Sequence, residues 1–283
     1  MPDQLPVICP ACRSSHLFGP VNSFLYCGLE TCAFRFPVID GVPILVPAWS
    51  EYVRGERWII LRRGDLSVEM DWLLDEPLGD DHAERIRQRH LESYLRSHFG
   101  TPIPELAEMS RQLPNWIRRH MRPGALGLDA GCATGGYTAI MAEKIATPVG
   151  IDLHFERVRA GRWKVPNASF YIASAEDPPF ERYSMDVVMA INLIDSIGHP
   201  RLALHNLLEC VRPGGLLLLS TPFDYSSVYS PLNEWVTDAE LTATLAAGFD
   251  IIDDQPRLPW VLPAGDRHSD VFFVRAVAAV RRG

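Results

Sequence analysis

The stretch that most constrains this chain runs Leu126-Gly127-Leu128-Asp129-Ala130-Gly131-Cys132-Ala133-Thr134-Gly135-Gly136. An apolar run ends in an acid, passes through a glycine-rich turn and gives way to a helical pattern. Tyr137, Ile140, Met141 and Ile145 fall on one face at helical spacing, so the segment reads as strand, tight turn, helix. Glycines at 131 and 135 permit the sharp turn and let a ligand approach bare backbone. That is the physics of a nucleotide-type site at the edge of an open α/β sheet. Ala133 holds the third-glycine position, so the turn alone serves equally well to pack a helix against a strand.

The residues downstream bear on that choice. Val149-Gly150-Ile151-Asp152 is a buried-strand signal ending in an acid 23 positions beyond Asp129. An acid that binds ribose hydroxyls is expected about 20 residues on. A third strand, Phe170-Tyr171-Ile172-Ala173, leads into Ser174-Ala175-Glu176-Asp177-Pro178-Pro179-Phe180. A fourth, Asp186 to Ile191, ends at Asn192, and a helical pattern then stops at Arg212-Pro213-Gly214-Gly215 before a fifth strand, Leu216 to Leu219.

This collinear set resembles the class I S-adenosylmethionine-dependent methyltransferases from about Gly124 to Arg281. The resemblance implies an α/β fold with a Rossmann-like seven-stranded methyltransferase sheet; the residues that precede it lead to the expectation of a small N-terminal zinc ribbon and a helical connecting segment. The resemblance also implies the cofactor S-adenosylmethionine. Asp129 would face the methionine ammonium, and Gly131, Cys132, Ala133 and Gly135 would offer backbone to the methionine part. Asp152 would accept the ribose hydroxyls, with Leu153 beside it; the alternative for Asp152 is an N-cap of the next helix. The family often has an acid at Ser174 to hold the adenine amino group, so serine shifts that contact to the Ala175 backbone and Glu176. Asn192 would stand beside the transferable methyl.

Four of the six cysteines lie within the first 32 positions. Cys9-Pro10-Ala11-Cys12 is followed, after fourteen intervening residues, by Cys27-Gly28-Leu29-Glu30-Thr31-Cys32. Two such pairs suit a tetrahedral, four-thiolate structural Zn²⁺ site, which stabilises a segment too short for a core of its own. The alternatives are disulfides, disfavoured without a secretion signal, or free buried thiols. Phe34 to Leu45 carries an Asp-Gly hairpin signal. The whole segment is similar to zinc ribbons that accompany a bacterial ribosomal RNA guanine methyltransferase and the activator subunit of tRNA and protein methyltransferases. A closed site implies structure or docking of a substrate or protein partner rather than chemistry. Cys132 and Cys210 have no ligand-spaced neighbour and read as ordinary small residues.

The expected domains are the ribbon (1–48), a helical connector or cap (49–122) and the cofactor-binding domain (123–283). In the connector Asp81 to Phe99 is the clearest helix, with Ile86, His90, Tyr94 and His98 on one face. Either those polar side chains line a substrate pocket, or the face is packed with its tips in water. The second reading is expected for His90 and His98, while Tyr94 stays open between the two. A second helix, Glu105 to Met121, should be bent by Pro114. Trp49, Trp58 and Trp72 suggest that ribbon and helices pack together. No apolar run reaches the length of about 18 residues that a membrane span needs. Met1 to Pro10 lacks the pattern of a signal peptide, and a cytoplasmic enzyme with no membrane partner is expected. The net charge of −8 gives no overall pull toward nucleic acid.

The acceptor is addressed by the segments after the fifth strand. Phe223, Tyr225, Tyr229 and Trp235 make an aromatic loop suited to a substrate wall. Thr237-Asp238-Ala239-Glu240 reads as a capping box. Asp253 to Ser269, with Pro256, Pro259 and Pro263, reads as a lid or a surface excursion. Tyr94 to Gly100, Asn192 to Ile194 and Thr221 to Trp235 resemble the mercaptohistidine imidazole N-methyltransferases of ovothiol synthesis. That resemblance implies a small polar acceptor, methylated on nitrogen, ringed by catalytic Asn192, Tyr94, Asp195, Tyr225 and Trp235. Two alternatives remain: an RNA methyltransferase that uses the ribbon to bind its target, and a non-catalytic adaptor that binds the cofactor.

Overall fold

A computed structural model describes residues 7–13, 16–21, 24–32, 34–39, 41–55, 82–227, 230–263 and 267–283; side chains are described from 91 onward in the first long helix. Four short strands come first: β1 (Leu17–Val21), β2 (Phe24–Cys27), β3 (Arg35–Ile39) and β4 (Val42–Pro43), paired antiparallel in that order. The expected hairpin is the β3–β4 pair. Helices α1 (Trp49–Gly55), α2 (His82–Phe99) and α3 (Ala107–His120) follow. Trp58 and Trp72 lie outside the described residues, as do the side chains of Ile86 and His90.

The main sheet has seven strands in the order β10-β11-β9-β8-β5-β6-β7. Central β5 (Gly124–Ala130) lies parallel to β6 (Ile145–Asp152) and β8 (Met185–Ile191). Outward from them are β7 (Ser169–Ile172) and β9 (Val211–Thr221), both parallel. Antiparallel β11 (Ser269–Arg281) sits between β9 and β10 (Phe249–Pro263). Helices α4 (Gly136–Met141), α5 (Phe155–Lys164), α6 (Pro200–Cys210) and α7 (Asp238–Gly248) complete the αβ alternation. Strands such as β8 and β9 read as continuous apolar runs because both faces are covered. α7 opens with the capping box: Glu240 N–H donates to Thr237 Oγ1 and Thr237 N–H donates to Glu240 Oε2.

Three expectations change. Ile145 does not extend the helix after the glycine turn; α4 stops at Met141 and Ile145 opens β6. Ile145 still shares an apolar cluster with Ile140 and Met141, which is why the helical spacing misleads. Residues 253–263 and 269 are neither lid nor surface excursion but the strands of a long hairpin. Its prolines are tolerated because β10 is the sheet edge, and the ladder shifts register between Gln255 and Leu258 around Pro256. The second connector helix is split, with a 3₁₀ turn at Pro104–Leu106 before α3. Pro114 lies inside α3 and lacks the N–H that would have bonded the Ser110 carbonyl.

The ribbon covers the β7 edge of the sheet, where unpaired backbone would otherwise be exposed. Leu45 N–H donates to Ile172 O at 2.6 Å and Ile8 N–H to Pro179 O at 2.9 Å. Leu17, Leu25 and Phe36 point inward, fully buried in the same apolar cluster as Leu128, Val149 and Ile151. Trp49 meets the Phe24 ring edge-on at 6.3 Å, and the Tyr52 hydroxyl donates to the Leu153 carbonyl.

At the opposite edge Asp253 fastens α3 to β10. Its Oδ2 accepts from Trp116 Nε1 at 2.8 Å and pairs with His120 Nε2 at 2.7 Å, while Gln255 donates to Oδ1 at 2.7 Å. Burial pushes this carboxyl up, but the bonds from Gln255, Trp116 and His120 outweigh it and hold the value at about 2. Asp253→Ala leaves the buried indole N–H unpartnered and should cost about 1–3 kcal/mol at pH 7, read by urea unfolding. Since a depressed pKa stabilises only above its unfolded value, the difference from wild type should shrink as pH falls from about 4 toward 2.

Candidate active site

The turn between β5 and α4 hangs from the end of β6. Gly131 and Cys132 N–H groups both donate to Ile151 O, at 2.8 and 2.9 Å, and Ala133 N–H donates to Asp152 Oδ2 at 3.0 Å. Gly131 and Gly135 take positive φ of 70° and 81°, which a side chain would oppose. Beside this turn a cavity of about 240 Å³ opens at the carboxyl ends of β5, β6 and β8.

Of the residues singled out from sequence, Tyr94, Gly131, Ala133, Asp152, Leu153, Ser174, Ala175, Glu176 and Asn192 line the cavity. Asp152 is fixed at both oxygens, because Oδ1 also accepts from His154 N–H at 2.9 Å. The N-cap of α5 is His154. Ser174 Oγ accepts from Glu176 N–H at 3.1 Å, and Glu176 Oε1 accepts from His199 N–H at 2.9 Å, so both shape the wall. Tyr94 is packed against the mouth, and burial pushes its phenol up, so it stays a neutral donor.

Asp129, Cys132 and Gly135 lie under the turn rather than in the cavity wall. Asp129 is 1% exposed and accepts from the Thr138 hydroxyl at 2.6 Å. Burial raises its carboxyl to about 7, against the pull of the Thr138 hydrogen bonds. Burial also lifts the Cys132 thiol far above its ordinary range, which makes it inert.

Asn192 and Asp195 occupy the end of β8 and the 3₁₀ turn after it. Asn192 has φ 53°, and the Ser220 hydroxyl donates to its Oδ1 at 2.6 Å, fixing the amide orientation. Its Nδ2 is buried and has no partner among the described residues; the same holds for Asp195 Oδ1. Asp195 does not itself line the cavity; its Oδ2 accepts from Asp224 N–H at 3.1 Å, and burial lifts the carboxyl to about 6. Tyr225 and Trp235 do not line the cavity. They stack at 5.2 Å, with the Tyr225 hydroxyl bonded to both backbone groups of Val236 and Trp235 Nε1–H donating to Ser230 O. Their polar tips hold the loop between β9 and α7 in shape. Tyr229 lies outside the described residues.

Sequence reasoning missed Arg157, which lines the cavity and lies 4.7 Å over the Tyr94 ring. Only its place in the first turn of the helix after Asp152 could have pointed to it. His98 was expected to tip into water; instead its Nδ1 reaches the glycine turn.

A family model described as a methyltransferase domain matches residues 106–269, more than half of the chain. The chain belongs to this methyltransferase family. S-adenosylmethionine is the cofactor of the methyltransferase fold. It is 29% identical over 136 residues to a ribosomal protein L11 methyltransferase of Ralstonia nicotianae, covering 44% of each chain. Over 115 residues it is 27% identical to a ubiquinone biosynthesis O-methyltransferase of Erwinia tasmaniensis, covering 38% of this chain and 47% of that one. The match thus spans less than half the length of these curated relatives. A solved complex of the Haloferax volcanii Trm112 methyltransferase activator with a methyltransferase shares the fold. That likeness has a TM-score of 0.50 and 15% identity, and covers 69% of this chain and 96% of the other.

The four N-terminal cysteines converge away from the cavity. Cys9 and Cys32 sulfurs are 3.8 Å apart, Cys12 and Cys27 3.5 Å, and all four lie within 4.8 Å of one another. A disulfide needs about 2.05 Å, whereas a tetrahedron with Zn–S of about 2.3 Å separates sulfurs by about 3.8 Å. The donor set fits a thiophilic tetrahedral ion. No described helix is long and apolar enough to cross a membrane.

The buried acid under the turn has a measurable signature. Asp129 rises from 3.8 to about 7 on folding, so the native state binds the extra proton in that window. Its contribution is therefore full below about 4 and lost as pH rises through about 7. Asp129→Asn should stabilise the cofactor-free protein at pH 8 more than at pH 4, with an upper bound of about 4 kcal/mol, read by urea unfolding at both values.

Proposed function

We propose that this enzyme transfers a methyl group to a nitrogen of a small polar acceptor by in-line displacement. The observation that carries the reading is the pair of buried, unpartnered polar atoms at the end of β8, Asn192 Nδ2 and Asp195 Oδ1. Leaving a donor and an acceptor desolvated is costly, on the order of 1–3 kcal/mol each, and such cost is commonly retained where a ligand satisfies the groups. An acceptor with an N–H for Asp195 and a separate oxygen for Asn192 Nδ2 answers both atoms and leaves the lone pair of its nucleophilic nitrogen free to attack the methyl carbon. This agrees with the likeness to imidazole N-methyltransferases, although Tyr225 and Trp235 act here through loop shape.

Bound S-adenosylmethionine supplies an electrophilic methyl carbon. In this reading Asp152 holds the ribose, the turn 131–135 offers backbone to the methionine part with Asp129 beneath it, and Ser174 to Glu176 face the adenine. The protein aligns and desolvates the nucleophile, an effect worth up to about 7–11 kcal/mol. Asn192 orients the acceptor, and Asp195, with its carboxyl near 6, takes up the proton released from nitrogen. Tyr94 closes the acceptor side.

The four-cysteine site is read as structural Zn²⁺, and the ribbon as a domain that seals the β7 edge. A second reading, methylation of RNA docked on the ribbon, draws on one feature. Phe18, Tyr26 and Arg35 lie opposite one another across β1, β2 and β3, with Phe18 exposed. The net charge of −8 weighs against it.

Asp152→Ala should abolish the calorimetric signal for S-adenosylmethionine, and Asn192→Ala should leave donor affinity within about threefold while removing turnover. Incubation with methyl-labelled donor and fractionated extract should label small metabolites rather than RNA or protein; label in RNA would establish the second reading. The ribbon should carry one zinc per chain by atomic absorption, lost in Cys12→Ser/Cys27→Ser. Because burial lifts the Cys9 and Cys27 thiols, the latter to about 12, zinc uptake should release protons and weaken on acidification from pH 8 to 6.

A further inference from the structure

Helix α4, which follows the glycine turn, begins without a local cap. Its N-cap residue is Gly135, which has no side chain to accept a hydrogen bond. The acceptor arrives from 38 residues upstream: Gly136 N–H donates to His98 Nδ1 at 3.1 Å. The Thr134 hydroxyl lies 2.8 Å from the same nitrogen. A nitrogen that accepts from a backbone N–H carries no proton, which places the ring proton on Nε2. Burial lowers the imidazole to about 4, so the ring stays neutral near pH 7.

Gly136 supplies an independent observation. A Cβ at this position would approach His98 Cγ to 2.2 Å. Its glycine character is explained by the imidazole packed against it. α2 is held at two further points, by Ser97 Oγ donating to Val261 O at 3.4 Å and by Tyr94 under the Arg157 guanidinium. The helix thus spans from α5 to β10 across the mouth of the turn.

We infer that His98 is a positioning residue for the donor: carried on α2, it fixes the backbone of turn 131–136, so that docking of α2 and donor binding are coupled. The inference rests on the reading of this turn as the donor site. His98 touches neither donor nor acceptor; it acts through the Gly136 amide and the Thr134 hydroxyl. Methyl transfer then requires α2 in place even though its chain segment precedes the sheet.

Hydrogen exchange at the Gly136 amide and calorimetry with S-adenosylmethionine, on the full chain, test this. His98→Phe keeps a ring but no acceptor. It should speed Gly136 exchange and weaken donor binding about threefold to thirtyfold, the range for a lost cap. His98→Asn, which places an oxygen near the Nδ1 position, should recover most of both. In wild type, the ¹⁵N resonance of His98 should report an unprotonated Nδ1 and shift on donor addition; this measurement does not depend on any variant folding. An Nδ1 resonance unmoved by donor, or unchanged affinity in His98→Phe while Asp152→Ala abolishes binding, overturns the inference and leaves the donor site intact. Unchanged binding in Asp152→Ala overturns the donor-site reading and the inference with it.

Discussion

Three consecutive backbone N–H groups of the glycine turn, from Gly131 to Ala133, are tied to the last two residues of β6. That arrangement requires β5 and β6 to be adjacent and parallel, with Asp129 opposite Gly150 in the register. Once it is met, the acid at the tip of β6 cannot wander. Each Asp152 oxygen already accepts one backbone N–H and keeps a further lone pair for a ligand. Preorganisation of this kind spares the entropy of ordering a long side chain when a ligand arrives.

The rest of the structure protects that junction. The ribbon closes the β7 edge through backbone hydrogen bonds and a shared apolar cluster, so the four-cysteine segment is part of the core that carries the cavity. Asp253 performs the corresponding task at the other edge by joining α3 to β10. Between them α2 lies across the carboxyl edge, fastened at Tyr94, Ser97 and His98. Polar groups in these fastenings are satisfied. Asn192 Nδ2 and Asp195 Oδ1, at and just after the end of β8, have no partner among the described residues, and the proposed acceptor site is built on that contrast.

Burial sets the electrostatic character of the site. Asp129 and Asp195 are both lifted by desolvation, to about 7 and about 6, so each sits where a modest change of surroundings alters its charge. Cys132 and Tyr94 are held neutral by the same cause. Of these groups only Tyr94 lines the cavity; Asp129 and Cys132 lie beneath its floor and Asp195 behind its wall, so their charge acts on the cavity through the turn and the end of β8.

The succession of strands along the chain, the turn, the cavity-lining positions of Asp152 and Asn192 and the convergence of the four cysteines were legible in the sequence because each depends on local spacing: apolar runs, glycines and the reach of a knuckle. The pairing of β10 with β11 was hidden because prolines that argue against a central strand are harmless at an edge, and edge position is a property of the whole sheet. Ile145 was misplaced because a core contact can be made from a helix or a strand. Arg157, the cap from His98 and the true partners of Tyr225 and Trp235 join residues far apart in the chain, and no periodicity reports such contacts. The chain's local chemistry thus determined the class of fold and the placing of an acid, Asp152, at the tip of β6 beside the cavity. Only tertiary packing decided which polar atoms are left buried without partners, and why position 136 must be glycine, because both are questions of what a distant element brings against them.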